Sequence, residues 1–380
     1  MLAFYGWTDK LLLNLLNTKI NCFPAEQADL FVFDLPRVSR SLVKSIEATG
    51  AFQNVFWLQE RKIRKRHGLG IPFEKLEKLL SGQRQYAFYQ EQLRKCCGDT
   101  HYSMLFTGAF WSNTLFLFRY FRVVNPNVKI SIVEEGTANY NSPKGWQFRC
   151  MPTRRLREPL MRLFYFPLTW LWARRAVKQI FLYTLDTIRS DEKIPAVPLP
   201  PVDKRNPVCQ SVLYGAVEGI DAGEYQSRHV YFLSGPIVPG YEDTFQRTYE
   251  IIQKICDCVS EEEVLIKVHP DSVDQPCFTQ WDDSRVFVDK RRFLLEGVLS
   301  QIDLSEKCLV VRNSSVPMTV AFELLETPCI IFTYRLYESY QIHGERITDQ
   351  TVRDFQACCP GLHIEVPNTL EDLCKILKTV

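Results

Sequence analysis

The chain has 380 residues, 46% of them hydrophobic and 24% charged, with a formal net charge of +2. That length exceeds what one hydrophobic core usually organises and implies two domains, while the near-neutral charge gives no global argument for nucleic acid as a partner. Thirteen cysteines without a Cys-x-x-Cys spacing argue against a structural zinc site and predict reduced thiols, and the start Met1-Leu2-Ala3-Phe4-Tyr5-Gly6-Trp7 lacks the basic region and long apolar run of a secretory leader.

In chain order, Thr8 can cap a helix through Leu11, Leu12, Leu15 and Leu16, whose spacing is helical. A strand follows at Leu30 to Asp34, then a helix from Leu42 to Ile46 capped by Ser39. Val55 to Leu58, Met104 to Phe110 and Val128 to Val133 read as further strands. Strands alternating with helices predict a parallel sheet covered on both faces. Five prolines between Ile194 and Pro207 exclude helix and central strand there, so 195–207 reads as a linker between domains at 1–194 and 208–380.

After the linker the alternation restarts. Strands are expected at His229 to Leu233, at Val264 to Val268, at Leu309 to Asn313, at Pro328 to Tyr334 and at His363 to Val366. Helices are expected over Phe245 to Cys258, from Val316 to Leu325 and over Leu370 to Leu377. Two βαβ-type halves, α/β in class, predict a substrate cleft between them.

Three dipeptide islands sit where apolar runs end. Glu134 and Glu135, before Gly136, supply a carboxylate for general-base work, because neighbouring acids hinder each other's ionisation. His269, before Pro270, is placed to assist a departing phosphate. Ser314 and Ser315, before a helix with Pro317 in its first turn, offer hydroxyls and unpaired backbone N–H groups to an anion. Ser234-Gly235-Pro236 forms a further tight turn after a strand, and Asp243, beside Glu242, competes with Glu134 and Glu135 for the role of base. Lys267, Pro270 and Asn313 flank these groups and complete the expected donor-binding set. An Asp-x-Asp pair and a phosphate-binding Gly-x-x-x-x-Gly-Lys loop are both missing, which turns the reading from metal-bridged diphosphates to a sugar donor carrying a single phosphate.

Glu-Glu-Gly, His-Pro and Ser-Ser, in this order, resemble the acidic-acidic-Gly, His-Pro and Ser-Ser/Thr motifs of bacterial sialyltransferases, most closely the lipooligosaccharide sialyltransferases of glycosyltransferase family 52, with the polysialyl and capsule enzymes behind them. The resemblance implies a GT-B fold, two Rossmann-like domains facing each other across a cleft, with CMP-sialic acid as donor, inversion at the anomeric carbon and no metal or other cofactor. It implies Glu135 or Glu134 as base, His269 as partner of the CMP phosphate, and Ser314 and Ser315 as further phosphate ligands. Ser234-Gly235-Pro236 stands where those enzymes carry a Gly-Gln-Pro-like turn, with Ser in place of Gly and Gly in place of Gln. The acceptor would be a lipooligosaccharide or capsular glycan.

Between the acidic island and the linker, Arg154 to Lys178 mixes seven basic residues with Leu160, Phe164, Tyr165, Phe166, Trp170 and Trp172. That pattern suits a helix lying in the headgroup layer of the inner face of the cytoplasmic membrane, and equally a core helix with a solvated basic edge. Three other readings remain open: a CMP-Kdo donor, a UDP-hexose donor, and a GT-B-shaped glycan-binding scaffold without catalysis. The oligomeric state, a homodimer included, is also open.

Overall fold

The structure is a computed structural model that describes residues 1–35, 38–59, 86–110, 112–135, 169–184, 194–235, 242–269, 272–281, 285–337 and 347–380. It contains two compact units, Met1–Pro200 and Pro201–Val380.

The first unit is built on a seven-stranded sheet of β1 (Leu2–Gly6), β2 (Ala28–Asp34), β3 (Asn54–Gln59), β4 (Met104–Thr107), β5 (Lys129–Val133), β6 (Val177–Leu182) and β7 (Ala196–Pro198). The order is β3-β2-β1-β4-β5-β6-β7, and every pairing is parallel. The central strand β1 is apolar without alternation and buried along its whole length, as expected of a parallel strand covered on both faces. Phe4 of β1 stacks on Phe106 of β4 at 4.4 Å, and Phe23 meets Phe106 edge-on at 4.9 Å. Thr8 caps the helix Asp9–Cys22 by accepting from the Leu11 N–H, and Ser39 caps Arg40–Ala48 by accepting from Leu42. Both caps stand where the sequence places them.

Strands β1, β6 and β7 lie outside the sequence expectation. β7 corrects the linker assignment. Ala196–Pro198 pairs with β6 at the edge of the sheet, held by Ile180 N to Pro195 O at 2.9 Å and Leu199 N to Leu182 O at 2.7 Å. Proline is tolerated at an edge, where its missing N–H faces away from the ladder. Pro207, at the other end of the segment, opens the helix Pro207–Gly215 behind an Asn206 cap. The expected linker 195–207 is therefore divided between the two units, which part at Pro200 and Pro201.

The second unit carries β8 (Val230–Ser234), β9 (Val264–Lys267), β10 (Phe287–Asp289), β11 (Cys308–Arg312), β12 (Cys329–Phe332) and β13 (Ile364–Glu365). Their order is β10-β9-β8-β11-β12-β13, again parallel throughout. Phe232, Ile266, Val310 and Ile331 on the sheet pack with Ile251, Ile252 and Ile255 of the helix Glu242–Cys258 and with Leu373 and Leu377 of the helix Leu370–Leu377. Cys258 and Cys374 join those two helices as a disulfide, with Cα atoms 5.7 Å apart. This corrects the expectation of thiols alone. The helix expected from Val316 is a single turn, Val316–Met318, which widens into a π-helix over Thr319–Glu323.

Each sheet follows the order 3-2-1-4-5-6 counted within its own unit, with β7 added at the edge of the first. Both units are thus Rossmann-like, the α/β class that the alternation predicts.

Of the basic aromatic segment, residues 154–168 lie outside the described residues. Its remainder forms the helix Thr169–Ala176, which buries Thr169, Ala173 and Ala176 and exposes Arg174 and Arg175. Trp172 is half-buried, with the Arg122 guanidinium 4.5 Å from its ring centroid. Among the described residues, no helix is long and apolar enough to cross a membrane.

Candidate functional site

In a doubly wound sheet, ligands bind beyond the carboxyl ends of the strands at the point where the winding reverses. In the second unit the chain runs from β8 to β9 and β10 on one side, then returns to place β11 on the other, so the reversal lies between β8 and β11. Arg312 pairs with Ser234, and Leu233 pairs with Lys267. One step beyond the first pair and two beyond the second, Gly235, Asn313 and His269 stand at a common level on three adjacent strand ends. Strand spacing of about 4.8 Å puts the outer two roughly 10 Å apart.

At that level the backbones touch. The Gly235 N–H donates to the Arg312 carbonyl at 2.6 Å, and a Cβ on Gly235 would overlap the Asn313 carbonyl. Only glycine fits. Asn313 itself turns the chain in the left-handed region at φ 50°, which asparagine tolerates better than most residues. Its buried Oδ1 has no hydrogen-bond partner among the described residues. Ser314 and Ser315 follow, both half-buried. The Ser314 hydroxyl accepts from the Val316 N–H at 3.3 Å, whereas Ser315, at the cap position, makes no capping bond. Ser234 is buried and donates its hydroxyl to the Gly235 carbonyl at 2.8 Å, so that side chain is engaged in shaping the turn.

His269 is half-buried, and its carbonyl accepts from Ser272 N at 2.8 Å. Lys267, two residues earlier, is placed differently from the donor contact expected of it. Its ammonium donates to the Arg291 carbonyl at 2.6 Å, lies 3.8 Å from Asp289 Oδ1 and sits 4.2 Å from the centroid of the Phe293 ring. Burial pushes it down to about 8, with Asp289 opposing the shift. Burial alone would raise the Asp289 carboxyl. Hydrogen bonds from Arg291 and Tyr225 and the charge of Lys267 outweigh that effect and hold it below the ordinary value. At the carboxyl end of β9, Lys267 is thus engaged with the end of β10 and the residues just after it. Pro236 and Pro270 lie outside the described residues; Asp243 sits in the first turn of the helix Glu242–Cys258, with its side chain likewise outside them.

In the first unit the winding reverses between β1 and β4, and the flanking strand end is that of β5. Trp7 follows β1, Gly108 follows β4, and Glu134 and Glu135 follow β5. The two glutamates are not equivalent. Glu134 is 3% exposed; its Oε2 accepts from the Tyr183 N–H at 3.0 Å and its carbonyl from Asn14 Nδ2 at 2.9 Å. The Tyr183 hydroxyl in turn donates to Asn14 Oδ1 at 3.0 Å, which closes a buried polar ring around that residue. Glu135 is half-buried, and its Oε1 accepts from the Trp7 indole N–H at 2.9 Å. Of the two carboxylates, that of Glu135 is thus the more exposed.

No family model and no curated protein matches this chain. Solved structures do match it. A putative UDP-N-acetylglucosamine 2-epimerase from Listeria monocytogenes aligns over 99% of this chain and 86% of its own, at a TM-score of 0.53 and 8% identity. The UDP-GlcNAc 2-epimerase of Methanocaldococcus jannaschii aligns over 99% and 91%, at 0.51 and 11%. Phytolacca americana UGT2, solved with UDP-2-fluoro-glucose and pterostilbene, aligns over 100% and 90%, at 0.52 and 12%. At such identities the likeness establishes the fold, which is of the GT-B type. Trp7 and Gly108 were missed by sequence reasoning. The available signal was the apolar run Leu2 to Tyr5 ending in Gly6 just before a Thr-capped helix, a strand–turn–helix start.

Proposed function

We propose that this chain is an inverting glycosyltransferase that uses a nucleotide sugar, and that its donor is CMP-sialic acid. The observation that carries the proposal is positional. Glu135, His269 and the Ser314-Ser315 pair, drawn from three separate islands, each lie beyond a strand's carboxyl end next to the winding reversal of their own sheet. Glu135 takes the proton of the acceptor hydroxyl as that oxygen attacks the anomeric carbon. His269 and the serine hydroxyls bind the phosphate that leaves with the nucleoside, and the glycine at 235 lets the donor approach the backbone. The acceptor is a terminal sugar hydroxyl of a lipooligosaccharide or capsular glycan, reached at the inner face of the membrane. Exposed Arg174 and Arg175 fit attraction to anionic lipid.

Turnover by His269→Ala and Ser314→Ala/Ser315→Ala variants tests the roles. The proposal expects the first to lose kcat and the second to raise the donor KM; wild-type kinetics in both would reject it. A second reading, a UDP-hexose transferase or epimerase, is supported by the likeness to the two UDP-GlcNAc 2-epimerases and to the UGT2 complex with UDP-2-fluoro-glucose. Under it the same strand ends bind a diphosphate.

A further inference from the structure

We infer that Trp7 is the positioning residue of Glu135: its indole N–H fixes the carboxylate in the orientation from which the carboxylate takes the acceptor proton. This rests on the reading of Glu135 as base and adds the group that holds it there.

Three features of the first unit lead to this. First, β4 lies between β1 and β5, so the ends of β1 and β5 are two strand spacings apart, roughly 10 Å, and a side chain the size of indole is needed to bridge them. Trp7 supplies that reach, from a position 128 residues away in sequence. Second, the strand end in between carries Gly108. A Cβ there would stand 3.2 Å from Glu135 Cβ and 3.1 Å from the Leu11 methyls, so the missing side chain is the space into which Glu135 packs. Third, Trp7 is 5% exposed and its ring lies 5.2 Å from that of Tyr5, itself buried. A buried indole N–H requires an acceptor, and Glu135 Oε1 is the acceptor it has. A buried donor of this kind holds its acceptor in place, and a carboxylate with about four acceptor sites can keep that bond while it takes a proton.

The neighbouring carboxylate supplies a contrast within the same dipeptide. Glu134 is held by a backbone N–H in the interior, Glu135 by a side-chain N–H at the rim. A side-chain donor aimed at one oxygen sets the torsion of the carboxylate plane.

The test uses the full chain labelled with 15N at the indole nitrogens of its seven tryptophans. One indole resonance should move as pH falls through the carboxylate range, and Glu135→Gln should abolish that movement while keeping the resonance. Absence of any such step, or its persistence in Glu135→Gln, overturns the inference whether or not turnover is detected. Kinetics give the second arm. Trp7→Phe should lower kcat by about 10- to 100-fold, the worth of one hydrogen bond to a charged group, with the donor KM little changed and the acid limb of the pH profile moved to higher pH. An unshifted profile in Trp7→Phe, beside an inactive Glu135→Gln, sinks the positioning role alone. A fully active Glu135→Gln sinks the general-base reading, and with it the catalytic part of this one.

Discussion

The carbonyl oxygens of Asn313 and Gly235's own hydrogen-bond partner Arg312 close so tightly on Gly235 that an added Cβ would overlap the first and stand 2.8 Å from the second. The loops leaving β8 and β11 are thus packed backbone to backbone where the sheet reverses. Gly235→Ala must push them apart. Overpacking of this kind costs about 1–3 kcal/mol, read as a lower urea midpoint, and the donor's affinity should fall about tenfold or more by calorimetry with CMP. Unchanged affinity would show that the donor is held elsewhere.

The adjacent glutamates should separate cleanly on mutation. Glu135→Gln is expected to lower kcat by about 10²- to 10⁴-fold, the usual worth of a general base, with its unfolding midpoint kept. Glu134→Ala removes the acceptor of the half-buried Tyr183's N–H and should cost about 1–3 kcal/mol of stability. Paired kinetics and urea unfolding on the two variants check this, and an exchange of the two phenotypes would reverse the roles.

How far these roles were legible in the sequence differs from residue to residue. β2, β5, β9 and β11 announce themselves as apolar runs, and the Thr8 and Ser39 caps are chemistry on the scale of three residues. β1 is only five residues long, and its central place comes from pairing with strands 26 and about 100 residues away, which no local pattern encodes. The different surroundings of Glu134 and Glu135 depend on the Tyr183 N–H just after β6, a strand hidden behind a basic segment. β7 was hidden by its prolines, which an edge position permits. The surroundings of Lys267 were not legible, because only the structure reveals the buried Asp289 opposite it.

That pairing has a pH signature. Burial holds the Lys267 ammonium at about 8, against 10.5 for the ordinary group. Between those values the unfolded chain binds a proton that the folded chain does not. The group's contribution to stability therefore grows as pH rises through that window and is lost as pH falls through about 8. Urea unfolding should show wild type gaining on Lys267→Met from about pH 7.5 to about pH 10, while a constant gap would mean that the amine is solvated.

The Cys258–Cys374 bond spans 116 residues of sequence. A cross-link closing so long a loop removes chain entropy worth about 4–5 kcal/mol from the unfolded state. Non-reduced, denatured protein should show two fewer alkylatable thiols than reduced protein, and reduction should lower the midpoint of the second unit. Full alkylation of all thirteen cysteines before reduction would contradict the bond.

The central claim is tested most directly by offering the protein CMP-sialic acid, CMP-Kdo and a UDP-hexose in parallel with a galactose-terminated acceptor, and following nucleotide release and product anomer. The account predicts CMP from CMP-sialic acid, an inverted sialoside, and loss of both with Glu135→Gln. Release of UDP alone, or CMP from the Kdo donor alone, would contradict it.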